Sequence, residues 1–319
     1  MKNSYSNIFP FNKKILNKTI KLLNKKSIVC LPTETVYGLA GNAYSKVAVS
    51  KIFNLKKRPK SNPLIIHYHD INQISEDVCL SKNFRKLYKK FCPGPITFIL
   101  KKNKKSRINH KACAKLKTLA IRFPKHKVVR TILKNINYPL AMPSANMSSG
   151  VSPVSAFDVY EEFKKKVQLI IDGGQSKIGI ESTVVDLTEK PKILRPGIIN
   201  TSDIEKILKL KIKKKVNTSK IKSPGMMKKH YSPGIPILIN QKKFDNKSAF
   251  IYLGKKFKYK KNFFSLSFDS NLKKAASNLY KTFRLIKKHG YKKIQIAKIP
   301  YRGIGLAIND RIKRAANYK

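Results

Sequence analysis

Residues 117–142 read K-T-L-A-I-R-F-P-K-H-K-V-V-R-T-I-L-K-N-I-N-Y-P-L-A-M. Residues 119–123 are an aliphatic run closed by Pro124, residues 128–133 space their apolar side chains as a helix does, and residues 139–142 are a second aliphatic run. Strand, helix and strand in that order predict a layered α/β arrangement, in which helices cover the apolar faces of a sheet. Working outward, residues 27–31, 64–68, 96–100, 167–171, 183–187 and 192–194 read as further strands. Residues 47–55, 83–91, 156–163 and 204–208 read as helices. The expected fold class is α/β, a sheet flanked by helices.

After Leu210 the pattern dissolves into a lysine-rich polar stretch that reads as a linker to about Gly234. It separates a first domain over 12–210 from a linker at 211–234 and a second domain over 235–319. In the second, strands are expected at 236–239, 249–253, 263–266 and 293–299, with a last helix from Ile304. Leu272, Ala275, Ala276, Leu279, Tyr280, Phe283 and Ile286 recur at three and four along a long helix, with Asp269 or Ser270 placed to cap its start and Gly290 following its end. This is a small Rossmann-like β/α unit. No G-x-G-x-x-G follows its first strand, so dinucleotide binding is not expected there, and Gly303-Ile304-Gly305 reads as tight packing.

Across 319 residues, 41% hydrophobic content suffices to bury a core in each domain. No apolar run approaches the ~18 residues of a membrane span. The first residues carry no export signal, so the cytoplasm is the expected location. The formal charge is +54, yet only 10 of the 70 basic residues are Arg, and both halves of the chain share the excess. Such a charge fits a lysine-rich solvated surface, and it also fits weak attraction to RNA or nucleotides. Cys30, Cys79, Cys92 and Cys113 are too far apart for a zinc knuckle and read as small buried apolar residues. His67 and His69, on one face of a strand, are a weak metal signal.

Polar residues gather at strand ends, where a rigid scaffold holds a site. Residues 32–39, P-T-E-T-V-Y-G-L, combine hydroxyls, a carboxylate and a glycine. Residues 56–63, K-K-R-P-K-S-N-P, form a basic loop suited to clamping phosphates, or simply a charged exposed loop. Arg122 ends an apolar strand, where an unpaired charge is costly, so it calls for an anion. One of the 16 protein carboxylates would serve, as would a ligand carboxylate or phosphate. Ser144 and Asn146, Glu181-Ser182-Thr183 and Arg195-Pro196-Gly197 complete the set. Arginines, hydroxyls and exposed backbone suit a nucleotide plus a small carboxylate. No Ser-His-Asp order or acidic metal cage accompanies them.

Residues 32–39, Lys56-x-Arg58 with Asn62-Pro63-Leu64 and His67, Pro93-Gly94-Pro95-x-Thr97, Arg122-x-Pro124, residues 143–146, Glu181-Ser182-Thr183 and residues 194–197 resemble the YrdC/Sua5 family in the family's order, over about 25–208. Ser223-Pro224-Gly225-Met226 and Lys229-His230-Tyr231-Ser232-Pro233 resemble the S-P-G-M…H-Y-x-P segment of its long, two-domain Sua5 form. The resemblance implies a YrdC-like twisted open sheet with a smaller C-terminal Sua5 domain. It also implies L-threonylcarbamoyladenylate synthase activity, a nucleotidyl transfer: L-threonine, bicarbonate and ATP give threonylcarbamoyl-AMP and pyrophosphate. The product feeds, through downstream transfer proteins, the threonylcarbamoyl modification of tRNA adenosine 37.

By the same resemblance Thr35, His67, Arg122, Ser144 and Ser182 hold threonine, with Arg122 facing its carboxylate. Lys56, Arg58, Asn62, Thr118, Asn146 and Arg195 hold ATP, and Tyr231 folds over the nucleotide. No covalent nucleophile is implied; Lys56 and Arg58 position and neutralise the triphosphate, and Mg²⁺ comes bound through the phosphates. One departure is Ser152-Pro153-Val154, where many relatives read Ser-Pro-Thr; the hydroxyl contact is lost and a backbone contact is expected to survive. Two alternatives stand beside this reading. The carbamoyl-transfer version of the fold in hydrogenase maturation proteins carries paired-cysteine zinc fingers, absent here. A non-catalytic RNA-binding module would show salt-dependent RNA binding and no pyrophosphate release.

Overall fold

A computed structural model describes residues 5–212, 230–255, 257 and 260–317; the Ser223–Met226 motif and Lys229 lie outside them. The first unit runs β1 (Ile8–Pro10), α1 (Lys13–Asn24), β2 (Val29–Leu31), β3 (Gly38–Asn42), α2 (Lys46–Lys56), β4 (Ile65–His67), α3 (Lys82–Phe91), β5 (Ile96–Lys101), β6 (Thr118–Arg122), α4 (Lys127–Lys134), β7 (Leu140–Ala141), α5 (Ala156–Phe163), β8 (Ile170–Asp172), β9 (Thr183–Asp186), β10 (Lys192–Arg195) and α6 (Thr201–Leu208). The second runs β11 (Ile237–Leu238), β12 (Ala249–Tyr252), β13 (Phe263–Ser265), α7 (Leu272–Lys288), β14 (Ile294–Ile296) and α8 (Gly305–Ala316).

The first sheet is mixed, in the order β1-β8-β2-β3-β7-β4-β6-β5-β9-β10. The second is parallel, in the order β11-β14-β12-β13. Every strand and helix expected from the pattern is present. Three further elements are not foreshadowed by it. β3 reads Gly-Leu-Ala-Gly-Asn, poor in β-branched residues. Its Gly41 is needed because a Cβ there would press on Ile28 at 3.2 Å and Ala48 at 3.3 Å, where α2 crosses the sheet. In α1 the lysine bias hides a buried stripe of Ile15, Thr19 and Leu23, four apart. β1 has only three residues, paired parallel with β8.

Serine side chains cap several helices: Ser45, Ser81 and Ser155 each accept from a first-turn amide. The cap of α7 is Asn271, which accepts from Lys273 and Lys274. Asp269, an expected cap, instead accepts from the amide of Asn271 and the side chains of Ser267 and Lys274. Ser270, the other, lies in the left-handed region at φ 56°. Of the cysteines, all free, Cys30 and Cys113 are buried as expected, Cys92 is half-buried, and Cys79 is exposed. No described helix is long and apolar enough to cross a membrane.

The second unit has its own core, which extends into the first. Val36, Val151, Val154 and Ile180 pack in one cluster with Tyr231, Tyr280, Phe283 and Ile308. Val154 is thus a seam residue: its amide donates to Asp158 and its carbonyl accepts from Ser176. The amide is spent on Asp158, while the carbonyl keeps a second lone pair.

The first unit's core is anchored by Phe84, which meets Phe98 edge-on at 5.1 Å and also touches Tyr88 and Phe123. Phe84→Ala is expected to cost about 3–5 kcal/mol. Urea unfolding checks this, and a loss below ~1 kcal/mol would contradict the packing.

Candidate functional site

The register across β4, β6 and β5 places His67, Arg122 and Thr97 side by side. Leu140 of β7 pairs with His67 on the other side, and Ser144, just past β7, bridges to Gly38. These strand ends form the floor of one cavity. Arg58, Arg122 and Arg195 all line it, with Thr33, His67, Ser144, Glu181, His230 and Tyr231. Its volume is about 520 Å³, open to solvent at the mouth. The site is assembled.

Arg58 enters through the end of α2. Lys57 adopts a left-handed cap at φ 48°, which turns the chain so that the Arg58 amide donates to Phe53. The guanidinium donates to the Asn62 carbonyl at 2.9 Å, Asn62 Oδ1 at 2.7 Å and the Pro63 carbonyl at 2.7 Å. All three acceptors are neutral. Burial, with Arg195 nearby, pushes the Arg58 pKa down to about 9, the mark of a cation lacking a counter-charge.

Arg122 meets one of the two anions its position called for, a protein carboxylate. Its guanidinium donates to Glu34 Oε1 at 2.7 Å, and Glu34 Oε2 accepts from the Lys125 amide. A guanidinium only 4% exposed needs a counter-charge before any ligand arrives, and Glu34 supplies it. Arg122 Nε has no partner among the described residues, which leaves one buried donor for an anion in the cavity. Burial pushes the Glu34 carboxyl up, but Arg122 outweighs it and holds the group below its ordinary 4.5.

The hydroxyls are linked in pairs. Thr35 Oγ1 lies 2.9 Å from Thr33 Oγ1, which itself donates to the Val36 carbonyl. Ser182 Oγ lies 2.7 Å from Thr97 Oγ1 and accepts from Arg195 at 3.1 Å, while Arg195 Nε donates to the Ser182 carbonyl. His67 is buried with Nδ1 3.2 Å from the Ile65 carbonyl, and burial and Arg122 together depress its pKa far below 6.5. It is neutral at pH 7.

Three expected nucleotide contacts are placed differently. Lys56 is 1% exposed and its Nζ donates to the carbonyls of Ser144 and Asn146. Asn146 donates to the carbonyls of Met147 and Gly150. Both side chains hold the loop that carries Ser144 and do not face the cavity; desolvation drives Lys56 onto backbone acceptors. Thr118 begins β6 and is outside the lining, although continuing the β4–β6 register sets it beside Pro63, at the Arg58 end.

Tyr231 is fully buried in the wall, stacked on Tyr280 at 5.8 Å, with the Arg311 guanidinium 5.4 Å from its ring centre. His230 packs on it at 4.0 Å, and burial pushes His230 down to about 3. Tyr231 Oη and His230 Nδ1 have no partner among the described residues. His230, Glu34 and Glu181 are site residues to which sequence reasoning gave no role, although each stands inside a quoted motif. Tyr280, from the second unit, was legible as part of the buried helix stripe but not as a partner of Glu181, and Arg311 had no local signal at all.

Residues 21–197 match the Sua5/YciO/YrdC family model, described as telomere recombination, and residues 199–317 match the one described as threonylcarbamoyl-AMP synthase, C-terminal domain. The chain belongs to the Sua5/YrdC family. It is 35% identical over 321 residues to the threonylcarbamoyl-AMP synthase of Pyrococcus abyssi, covering 93% of this chain and 92% of that one. To the Bacillus subtilis protein of the same name it is 34% identical over 316 residues, covering 92% and 91%. The crystal structure of P. abyssi Sua5 complexed with L-threonine superposes with a TM-score of 0.87 at 32% identity, over 98% of this chain and 97% of that one. The two-unit Sua5 architecture is therefore shared along nearly the whole length.

The two buried histidines are expected to make the protein acid-sensitive. Their pKa values are lowered in the folded state, so the unfolded chain binds more protons below pH 6.5 and stability falls as pH drops from that point. Denaturant unfolding should show a loss of up to ~1.4 kcal/mol per pH unit per histidine between pH 6.5 and 5, reduced in His230→Gln. An identical pH slope in that variant would contradict the neutral assignment of His230.

Proposed function

We propose that this chain is an L-threonylcarbamoyladenylate synthase acting as a nucleotidyltransferase: L-threonine, bicarbonate and ATP give threonylcarbamoyl-AMP, pyrophosphate and water. The observation that carries the reading is the convergence of Arg58, Arg122 and Arg195 on one cavity edged by hydroxyls. Threonine sits at the β4–β6–β5 floor, its carboxylate on Arg122, its polar groups among Thr35, His67, Ser144 and Ser182. ATP lies toward Arg58, Asn62 and Thr118, its phosphates between Arg58 and Arg195, with Tyr231 against the nucleotide. The relatives named as synthases, and the relative complexed with L-threonine, support this assignment.

The chemistry follows from the charge. A cavity rich in guanidinium and poor in water favours the neutral form of threonine's amine, which then bonds to the carbon of bicarbonate with loss of water. A carbamate oxygen of that adduct attacks the α-phosphorus, and the bond to pyrophosphate breaks. Developing negative charge on the phosphates is met by Arg58 and Arg195, already oriented by backbone and side-chain acceptors. Lys56 acts by fixing the Ser144 loop. The adenylate passes to proteins that transfer threonylcarbamoyl to tRNA.

Mg²⁺ is proposed to enter with ATP, shielding phosphate charge. The residues fit an ion carried by phosphates: Glu34 and Glu181, the carboxylates at the cavity, are committed to Arg122 and to Arg311, and no cluster of three metal-ligating side chains forms among the described residues. His230 and Tyr231 stand in the cavity wall, and on this reading they shift to cover the nucleotide when it binds. Tyr231 holds φ 65°, a conformation that costs a non-glycine residue energy and eases such a change.

Pyrophosphate should be released from ATP only when threonine and bicarbonate are both supplied. Release without threonine, or none at all, would refute the assignment. Arg122→Ala should raise the threonine KM far more than the ATP KM, with ~10²-fold lost from kcat/KM. Arg58→Ala should show the reverse preference. Equal effects of both substitutions on both substrates would remove the two roles.

A further inference from the structure

Arg311, in α8 of the second unit, is 0% exposed although it carries a permanent charge. Its Nε donates to Glu181 Oε2 at 3.1 Å, a terminal nitrogen donates to the Pro196 carbonyl at 2.6 Å and Asp310 Oδ2 at 3.1 Å, and the other donates to the Glu181 carbonyl at 3.4 Å. Glu181 also accepts from Ser152 Oγ at 2.6 Å and from Tyr280 Oη at 2.9 and 3.1 Å. Glu181 directly precedes Ser182, and Pro196 directly follows Arg195. One guanidinium therefore grips both shoulders of the β9–β10 pair, at cavity-lining Glu181 and next to cavity-lining Arg195, whose guanidinium Ser182 holds.

We infer that Arg311 is a positioning residue, through which the C-terminal unit sets Ser182 and Arg195 in the geometry that the first unit's site requires. This rests on the synthase reading of the cavity. The two shoulders are in direct contact, since a Cβ on Gly197 would lie 2.4 Å from the Thr183 nitrogen, so a shift of one is passed to the other. Arg195 then ties the two shoulders through Ser182. Without Arg311, Glu181 would be a buried carboxylate short of its cation and would turn toward the cavity cations, Arg195 first. The planar fork matters as much as the charge, because Nε meets the Glu181 carboxylate while a separate, rigidly placed nitrogen meets the Pro196 carbonyl. Arg311 also stands against the Tyr231 ring, so the same group meets the linker where it enters the cavity wall.

The test is made in the full chain. Arg311→Ala is expected to raise the threonine KM about tenfold and lower kcat/KM for threonine about a hundredfold. Arg311→Lys should recover little, added guanidinium ion should restore part of the loss, and Arg311→Ala with Glu181→Gln should cost no more than the worse single change. A purely structural role would lower kcat by the fraction of protein lost and leave the threonine KM alone. If Arg311→Ala does not fold, Tyr280→Phe, which removes one hydroxyl from Glu181, carries the test with an expected threonine KM rise of about threefold. An unchanged threonine KM in folded Arg311→Ala, or in Tyr280→Phe where that variant stands in, overturns the inference. Failure of the synthase reading looks different: the unaltered chain would then release no threonine-dependent pyrophosphate, and the positioning role would fall with it.

Discussion

Positive charge crowded into a small buried space is the constraint around which this molecule is organised. Arg58, Arg122, Arg195 and Arg311 are each less than a tenth exposed, and the carboxylates of Glu34 and Glu181 stand among them. Arg122 and Arg311 each have a carboxylate partner, while Arg58 is held by neutral oxygens. Arg58 therefore carries a buried charge that no carboxylate among these partners balances. An anion entering the cavity recovers in ligand binding what the fold leaves uncompensated.

The same constraint explains why two units pack as one. The apolar seam of Val36, Val154 and Ile180 against Tyr280 and Phe283 excludes water from the Glu181–Arg311 pair. A pair so buried gains little stability over an apolar replacement, but it fixes one arrangement strictly, because removing either partner strands the other. Lys56 applies the same logic within the first unit: a buried ammonium on two carbonyls pins the Ser144 loop. These cations act on the site through the groups they orient.

The legible part of the sequence was the part governed by local periodicity. The aliphatic runs of β4, β5, β6 and β9 and the stripe of α7 announce themselves, because burial on a sheet or a helix face repeats with a fixed period. β3 did not, since Gly38 and Gly41 are there for close approach of neighbours and carry no strand preference. Of the twelve site residues expected from the motifs, Arg58, His67, Arg122, Ser144, Arg195 and Tyr231 line one cavity, and the other six stand outside that lining. Motif order could not say which way a side chain turns once buried: Lys56 and Asn146, expected at the nucleotide, donate here to backbone carbonyls of the Ser144 loop. Arg122 was read rightly as needing an anion, and the residue that meets it, Glu34, lies 88 positions away. Arg311 is the clearest case of what local sequence hides, since its partner Glu181 is 130 residues distant and no pattern links the two.

The most direct measurement is a crystal structure of this chain with L-threonine and a non-cleavable ATP analogue bound together. The account predicts the threonine carboxylate on Arg122, the α-phosphate between Arg58 and Arg195, and His230 with Tyr231 displaced to cover the nucleotide. A nucleotide seated anywhere away from those three guanidiniums, such as at the strand ends of the second sheet, would contradict it.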